Sequence, residues 1–276
     1  MNGHCDLLIA DRRLSPRPAL ILKQSDSGAS SVETRTASVH AMVSDTPHAY
    51  APLAALSEYA GALRRGDALP IGSVEFVRGA MRLANIDESD NLSYPESLRP
   101  YLYREIQRRE AGSLTGRWFV KPVSTKLFTG FLLDALGRPD RLSDHDRAQH
   151  DVFIGLPPDT PVWVSEPVSW VSEWRYYVGH GRILGAGRYD DGPDEAPIPD
   201  AGQVEQMIAA MDYGGNGPSS YALDVGVLDS GETALVECND AWALGYYKGT
   251  LLAGDYIQML WWRWTQMFRS ASSAVR

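Results

Sequence analysis

Two short apolar runs late in the chain, residues 225–228 and 233–236, are separated by the polar sequence Asp-Ser-Gly-Glu. Apolar runs of this length on either side of a turn cluster are typical of a β-hairpin. The shortest loop that fits is the two-residue loop Ser230-Gly231. The pattern therefore predicts a hairpin, and a loop of that length fixes which residues of the two strands face each other.

This register puts two carboxylates and an amide on one face of the hairpin. Asp224 lies opposite Glu237, and since side chains alternate along a strand, Asn239 shares the face of Glu237 while Cys238 points away. Opposed like charges destabilise a sheet, and a cation between them removes the repulsion. Carboxylate and amide oxygens suit Mg²⁺ or Mn²⁺, and Mg²⁺ takes further ligands from nucleotide phosphates. The alternative is an exposed hairpin whose acidic residues face water.

The rest of the hydrophobic pattern separates a mainly helical first part from a strand-rich second part. Residues 24–38 are polar and rich in serine and threonine, which predicts a long loop and weak order within residues 1–40. Residues 41–44 have the pattern of a strand end. Helical spacing marks residues 52–63, 74–83, 96–109, a segment that begins after Asp200, and 254–268; strand patterns mark 7–10, 19–22, 117–123, 130–133, 161–168, 173–178 and 182–189.

The change of pattern near Gly112 predicts a domain boundary. We expect residues 1–112 to form an N-terminal region that lies on the substrate side of the protein or simply precedes the main domain, and residues 113–276 to form that domain. A chain of 276 residues is long enough for one large or two modest domains, each with its own core.

Composition narrows the class of protein. A net charge of −9 and a pI near 5.2 argue against general nucleic-acid binding, which needs a basic face. The sequence has no apolar run near the length of a membrane span and no basic segment followed by an apolar core, so we expect neither a membrane protein nor a secreted one. Only two cysteines, Cys5 and Cys238, are present, which excludes a disulfide framework and fits a cytoplasmic location.

A lysine at a strand end is a candidate phosphate ligand. Lys121 ends the apolar segment WFVKPV, and Lys126 and Gly130 follow in the loop STKLFTG. An ammonium on a rigid strand holds phosphate as a point charge, and backbone N–H groups of such a loop act as further donors. A surface lysine without a ligand is the alternative.

The segment VWVSEPVSWVSEWRYYV contains a second candidate site. Glu166 ends one predicted strand, and the linker that starts at Pro167 and Val168 leaves backbone groups available to pair with an adenine edge. Glu173, at the start of the next strand, is placed to accept hydrogen bonds from ribose hydroxyls, and Arg175 shares its face. If His180-Gly181 is the hairpin loop that follows, Arg188 lies opposite Glu173. A surface ladder of ion pairs, which stabilises a protein little, is the alternative.

Taken together, these segments resemble the ATP-grasp superfamily over residues 113–250. The chain has the strand lysine, Lys121; the hinge Glu166-Pro167-Val168; the ribose carboxylate, Glu173; and the late metal set, Asp224…Glu237-Cys238-Asn239. Spacings of seven residues from the hinge glutamate to the ribose glutamate, thirteen from Asp224 to Glu237 and two more to Asn239 are similar to those of D-alanine–D-alanine ligases. The segment SEWRYYVGHGRILGAGRY also resembles the glutamate ligases that modify ribosomal proteins. The phosphate loop departs from the family pattern, since it is poor in glycine.

The resemblance implies an α+β ATP-grasp fold, with two α+β subdomains that sandwich ATP and a smaller N-terminal α/β region before them. It implies ATP and Mg²⁺ (or Mn²⁺) as cofactors, and an ADP-forming carboxylate–amine ligase that forms an amide or peptide bond through an acylphosphate. Arg175, Arg188 and Lys248 are then the candidate catalytic cations around the reacting carboxylate. The partners would be a small-molecule or peptide carboxylate and an amine, with no nucleic acid or membrane.

Two other functions stay open at this point. A kinase or phosphotransferase on the same fold would also bind MgATP, and a nucleotide-binding module without catalysis would need no arginines near the phosphates. The N-terminal 112 residues resemble no substrate-binding domain, so the acid and the acceptor are not identified. A homodimer also stays open.

Overall fold

The computed structural model describes residues 17–26, 31–124, 127–134, 143–212, 215, 217–247 and 249–274. The chain divides into two compact units, one formed by Met1–Glu88 with Leu252–Arg276 and the other by Ser89–Leu251. None of the helices in the described ranges is long and apolar enough to cross a bilayer.

The first unit is a small α/β structure around a parallel sheet. Its three strands have the spatial order β2-β1-β3, and each connection between them runs through helical segments. Parallel neighbours need such crossovers because a tight turn cannot join them. The elements in chain order are β1 (Leu20–Gln24), α1 (Val32–Ser44), β2 (His48–Ala51), a 3₁₀ helix (Leu53–Tyr59), α2 (Ala60–Arg64), β3 (Ala68–Ile71), α3 (Val74–Ala84) and α6 (Ala253–Ala274).

The second unit contains two antiparallel four-stranded sheets. The smaller sheet has the order β4-β7-β5-β6 and the larger one β11-β10-β8-β9. Its elements are a 3₁₀ helix (Glu96–Tyr101), β4 (Ile106–Glu110), a 3₁₀ turn (Ala111–Ser113), β5 (Arg117–Pro122), β6 (Phe131–Asp134), α4 (Asp144–Ile154), β7 (Pro161–Ser165), β8 (Trp170–Gly179), β9 (Arg182–Arg188), α5 (Ala201–Asp212), β10 (Ser220–Leu228), β11 (Thr233–Asp240) and a 3₁₀ turn (Ala241–Ala243).

Each sheet of the second unit has its own apolar core. Phe128, Phe131 and Phe153 meet edge to face and pack with Val120 on the smaller sheet. On the larger sheet, α5 buries one face against β10, and that strand is buried along its whole length. Burial on both faces makes β10 a rigid support for any polar side chain it carries.

The helix pattern was predicted correctly at some segments and wrongly at others. The predicted helix at 74–83 is confirmed as α3, and Asp200 caps α5 by accepting a 2.8 Å hydrogen bond from Gln203 N. The predicted loop at 24–38 and strand end at 41–44 are wrong, since α1 covers most of both. The predicted helix at 96–109 is also wrong: a 3₁₀ helix with Pro100 inside it gives way to β4.

The two units differ from the predicted division into residues 1–112 and 113–276. The boundary lies between Glu88 and Ser89, and Gly112 is packed against Pro158 within the second unit. The C-terminal α6 belongs to the first unit because it packs against α1 and β3 there. Its tryptophan stripe, with Trp261 and Trp264 buried, is core.

Candidate functional site

The β10–β11 hairpin has the predicted pairing but a different loop. Leu228 N donates to Glu232 O at 2.9 Å, so the loop has three residues and ends at Gly231, whose φ is 98°. The two-residue loop was therefore wrong. Val225 pairs with Leu235, which continued unchanged would place Asp224 opposite Val236.

A β-bulge at Val236 corrects that offset. Val236 is an extra residue on β11, so the next pair along the ladder is Asp224 with Glu237. The predicted pairing of these two carboxylates is confirmed. Cys238 also points away as predicted; it is 2% exposed in the apolar core, and burial raises the pKa of its thiol.

Three polar side chains of the hairpin meet on its other face. Asn239 Nδ2 lies 3.0 Å from Asp224 Oδ2 and 3.1 Å from Glu237 Oε1. Asp224 is only 2% exposed because it lies on the central strand β10. We call Asp224, Glu237 and Asn239 the carboxylate cluster.

Two cations neutralise the carboxylate cluster. Arg175, on the neighbouring strand β8, donates from Nε and Nη2 to the two oxygens of Asp224, each at 2.7 Å. Lys121 comes from β5 of the smaller sheet and forms an ion pair with Glu237. The ion pair between Lys121 and Glu237 thus joins the two sheets at the cluster.

The charged state of Lys121 depends on its surroundings. Its side chain is 18% exposed, and Nζ also donates to Ser93 Oγ at 3.1 Å. Burial lowers the pKa of Lys121 to about 8, although the nearby Asp224 charge acts to raise it. The lysine is therefore mostly charged at neutral pH and titrates only slightly above it.

An aromatic pair lies beside Arg175. The Tyr189 and Tyr247 rings stack with centroids 5.5 Å apart, and the Arg175 guanidinium is 4.7 Å from the Tyr247 centroid. Tyr189 Oη donates to Glu173 Oε2 at 2.9 Å. Burial raises the pKa of Glu173, and the tyrosine hydrogen bond acts in the opposite direction. Glu173, Arg175 and the two rings therefore share one region of the larger sheet.

Arg188 does not lie where the sequence pattern placed it. A bulge at Leu184 shifts the β8–β9 register, so Arg188 pairs with Trp174, and the predicted pairing with Glu173 is wrong. Its guanidinium binds both oxygens of Asp190, at 2.7 and 2.5 Å. Arg188 is thus engaged by the neighbouring acid that the alternative of a surface ion pair named.

The Arg188–Asp190 pair supports the backbone at Glu173. Asp190 Oδ2 accepts a 2.7 Å hydrogen bond from Glu173 N. Hydrogen bonds from Arg188 hold the pKa of the Asp190 carboxyl below its usual range. Arg188 therefore contacts the candidate site through Asp190 rather than directly.

The hinge segment follows β7 as its sequence predicted. Glu166 is exposed, Pro167 and Val168 are half-buried, and Glu166 Oε1 accepts a 3.1 Å hydrogen bond from Glu105 N. Gly130 lies just before β6, where a Cβ would meet the Phe119 ring at 2.6 Å. Lys126 and Lys248 lie outside the described residues.

Two residues that contact the site were missed by sequence reasoning. Ser93 Oγ binds Lys121, and Ser93 O accepts a 2.9 Å hydrogen bond from Cys238 N. Arg104 donates to the carbonyls of Leu235 and Val236. Their partners lie far away in sequence, so no local motif could indicate either contact.

The carboxylate cluster fits a divalent cation in its donor chemistry. Two carboxylates and an amide are hard oxygen donors, and each carboxylate oxygen has a lone pair beyond the one that its ion pair uses. Rotation of the Asn239 amide would turn Oδ1 toward the carboxylates in place of Nδ2. Elsewhere in the described ranges, no three His, Cys, Asp or Glu side chains come together as a metal site. A cation would compete there with Arg175 and Lys121.

Comparison with solved structures shows a common fold. The RimK domain protein ATP-grasp from Sphaerobacter thermophilus has a TM-score of 0.53 and 15% identity, over 88% of this chain and 99% of its own. The ATP-grasp ligase PsnB has a TM-score of 0.50 and 12% identity, over 88% and 98%. D-alanine–D-alanine ligase from Bacillus anthracis has a TM-score of 0.46 and 12% identity, over 94% and 98%.

The sequence itself places the chain in a family. No curated protein matches it. Residues 34–261 match a family model of the ATP-grasp domain, the third family of its clade, and this match covers most of both units. The predicted α+β ATP-grasp fold is confirmed, and the chain belongs to this clade of the ATP-grasp domain family.

Proposed function

We propose that the protein is an ATP-dependent carboxylate–amine ligase that works through an acylphosphate. The observation that carries the proposal is the ion pair between Lys121 and Glu237, which brings the candidate phosphate ligand from one sheet to the carboxylate cluster of the other. A phosphate group and the cation that neutralises it must meet at one point, and this is a point where both kinds of ligand are present.

ATP would bind between the two sheets of the second unit. The hinge at Glu166–Val168 would pair with adenine, Glu173 would accept hydrogen bonds from the ribose hydroxyls, and Lys121 would contact the phosphates. Glu173 supports its assignment because it is held on the same sheet as the carboxylate cluster, with Gly226 and Asp224 as neighbouring partners of β8. Lys126, in the loop after Lys121, is proposed as a further phosphate ligand from its sequence position.

Asp224, Glu237 and Asn239 would hold Mg²⁺ or Mn²⁺. The metal would offset the charge of the β- and γ-phosphates. With Asp224 engaged by the metal, the Arg175 guanidinium becomes available to the transferring phosphoryl group and the substrate carboxylate. Its planar fork matches the paired oxygens of either group.

The reaction itself needs no nucleophile from the protein. A carboxylate oxygen of the substrate attacks the γ-phosphorus, the bond to ADP breaks, and an acylphosphate forms. The amine nitrogen then attacks the acyl carbon, the carbon–oxygen bond to phosphate breaks, phosphate leaves, and the nitrogen loses a proton. Protein groups orient the reactants and stabilise charge in both steps. Arg188, by holding Asp190 against Glu173 N, would support the nucleotide site, and Lys248 is proposed as a third cation from its position after Asn239.

Amino acids and peptides are the proposed substrate class. PsnB, which has the same fold, is an ATP-grasp ligase with a precursor peptide in its structure. We therefore propose a small-molecule or peptide carboxylate and an amine acceptor. No nucleic-acid partner is expected at a net charge of −9.

An ADP-release screen tests the proposal. The purified protein is incubated with ATP, Mg²⁺ and pools of amino acids and dipeptides, and ADP and free phosphate are measured separately. A ligase releases both in equal amounts when acid and amine are present together. ADP without free phosphate would indicate a phosphorylated product and contradict the ligase in favour of a kinase.

A further inference from the structure

Arg104 contacts the backbone of the metal-side strand from another part of the second unit. It lies between the 3₁₀ helix and β4, and its guanidinium donates to Leu235 O at 2.8 Å, Val236 O at 3.0 Å and Leu102 O at 3.0 Å. The guanidinium also lies 5.3 Å from the Trp170 ring. Burial lowers its pKa, and the arginine stays charged because its ordinary pKa is far above neutral.

The carbonyls that Arg104 binds belong to the β-bulge. A bulge leaves backbone groups of the extra residue without their ladder partners. Here the extra residue is Val236, and Arg104 Nη2 binds its carbonyl while Nη1 binds that of Leu235. Arg104 thus supplies the hydrogen bonds that a regular ladder would have supplied, and it fixes the bulge in place.

The bulge decides which residue faces Asp224. With the bulge, Glu237 is opposite Asp224; without it, the continued register would put Val236 there. A relaxed bulge would therefore displace one of the two carboxylates by part of a residue step.

We propose that Arg104 is a positioning residue that sets the geometry of the carboxylate cluster through the Val236 bulge. The proposal rests on the proposed function only in taking that cluster as the metal site. The next residue strengthens it: Glu105 N donates to the hinge residue Glu166. One short segment thereby connects the proposed adenine side of the site to its metal side.

An arginine is needed because three carbonyls are reached at once. Its fork offers several N–H donors in fixed directions, whereas lysine offers a point charge on a flexible stem. Arg104→Lys keeps the charge and loses the fork. Arg104→Gln keeps two donors and loses the charge. Arg99→Lys is the matched control, since Arg99 lies on the preceding 3₁₀ helix with a side chain that is 55% exposed.

Mn²⁺ binding is the direct measurement. Calorimetric titration of the wild type and each variant with Mn²⁺, in the presence of a non-hydrolysable ATP analogue, gives the metal affinity. We expect Arg104→Lys to weaken Mn²⁺ binding by about 10–100-fold, the usual effect of losing a residue that orients metal ligands. The affinity for the analogue without metal should stay within about twofold in Arg104→Lys, and Arg99→Lys should match the wild type in both measurements.

A double-mutant cycle separates positioning from general stabilisation. If Arg104 acts through Glu237, Arg104→Lys should weaken Mn²⁺ binding little further in a Glu237→Gln background. An equal loss in both backgrounds, or unchanged Mn²⁺ affinity in Arg104→Lys, would overturn the proposal. Loss of the folded circular-dichroism spectrum in both Arg104 variants would also overturn it, because Arg104 would then serve the fold.

The proposed function can fail separately. If the wild type binds Mn²⁺ with the analogue but turns over ATP with no substrate pool, the ligase proposal fails, and the cycle still decides the role of Arg104. If the wild type binds no Mn²⁺, both proposals fail.

Discussion

The Arg175 guanidinium donates two hydrogen bonds of 2.7 Å to the two carboxylate oxygens of Asp224, and both side chains are almost fully buried. Arg175 was expected to bind the substrate carboxylate and Asp224 to bind the metal. Their pairing means that a metal at Asp224 and an available Arg175 go together. Binding of the metal would therefore release the arginine for the reacting groups.

Removal of Arg175 should make the protein depend on a divalent cation for stability. Arg175→Ala leaves a buried carboxylate without its partner, which costs about 3–5 kcal/mol in the free energy of unfolding. Mg²⁺ can then take the place of the guanidinium, so millimolar Mg²⁺ should raise the melting temperature of Arg175→Ala more than that of the wild type. Thermal melts with and without Mg²⁺ measure this.

Arg188→Ala is the control for that experiment. Its partner Asp190 lies outside the carboxylate cluster, so the response of this variant to Mg²⁺ should equal that of the wild type. An equal response of Arg175→Ala and the wild type would mean that Asp224 does not bind the metal.

Nucleotide affinity should fall as the pH rises above neutrality. Burial lowers the pKa of Lys121 to about 8, so its ammonium loses a proton between pH 7.5 and 9.5. Phosphates bind the charged form, and the affinity for a non-hydrolysable ATP analogue should therefore decrease by up to about tenfold per pH unit above that pKa. Calorimetric titrations across this range measure the decrease.

Two substitutions at Lys121 check the assignment of that pH dependence. Lys121→Arg stays charged throughout the range and should lose the pH dependence. Lys121→Ala should weaken binding at pH 7 by about 1.5–3 kcal/mol, the scale of a lost charge-assisted hydrogen bond. A pH dependence that persists in Lys121→Arg would assign the titration to another group.

Glu237→Gln should abolish ATP turnover and preserve the fold. The substitution keeps the shape of the side chain but removes one of the two charges that would hold the metal. Glu232→Gln, in the exposed loop of the same hairpin, is the control and should keep wild-type turnover. Full ADP release by Glu237→Gln would remove this residue from the site.

Arg175→Lys should slow the reaction rather than weaken nucleotide binding. The lysine keeps a positive charge but cannot pair with two oxygens in one plane, so turnover should fall about tenfold or more while ATP affinity changes little. Steady-state ADP release and calorimetric titration separate the two quantities. Unchanged turnover would make Arg175 a structural partner of Asp224 alone.

The hairpin illustrates how far the sequence could determine the site. Alternation along the strands correctly placed Asp224, Glu237 and Asn239 together, although the loop has three residues rather than two. The Val236 bulge cancels that error, and no local pattern marks the bulge because Arg104, far away in the chain, stabilises it. At Arg188 the bulge at Leu184 had the opposite effect, and the predicted partner was wrong by one residue.

Errors in the helices have a different origin. In α1, threonine and serine occupy positions that an amphipathic pattern would give to larger apolar residues, and Thr34 and Ala37 are nevertheless buried. Small residues let this helix approach the sheet closely, a tertiary effect that propensity does not record. At 96–109 the apolar spacing continues from the 3₁₀ helix into β4, so one periodic pattern covers two elements.

The most direct test of the ligase proposal follows the carboxylate oxygen. Substrate pools labelled with heavy oxygen in their carboxyl groups are incubated with the protein, ATP, Mg²⁺ and amines, and the released phosphate is analysed by mass spectrometry. An acylphosphate transfers one carboxylate oxygen to phosphate when the amine displaces it, so we predict one heavy oxygen in each phosphate released. Phosphate without heavy oxygen would show that water attacked ATP directly and would contradict the ligase mechanism.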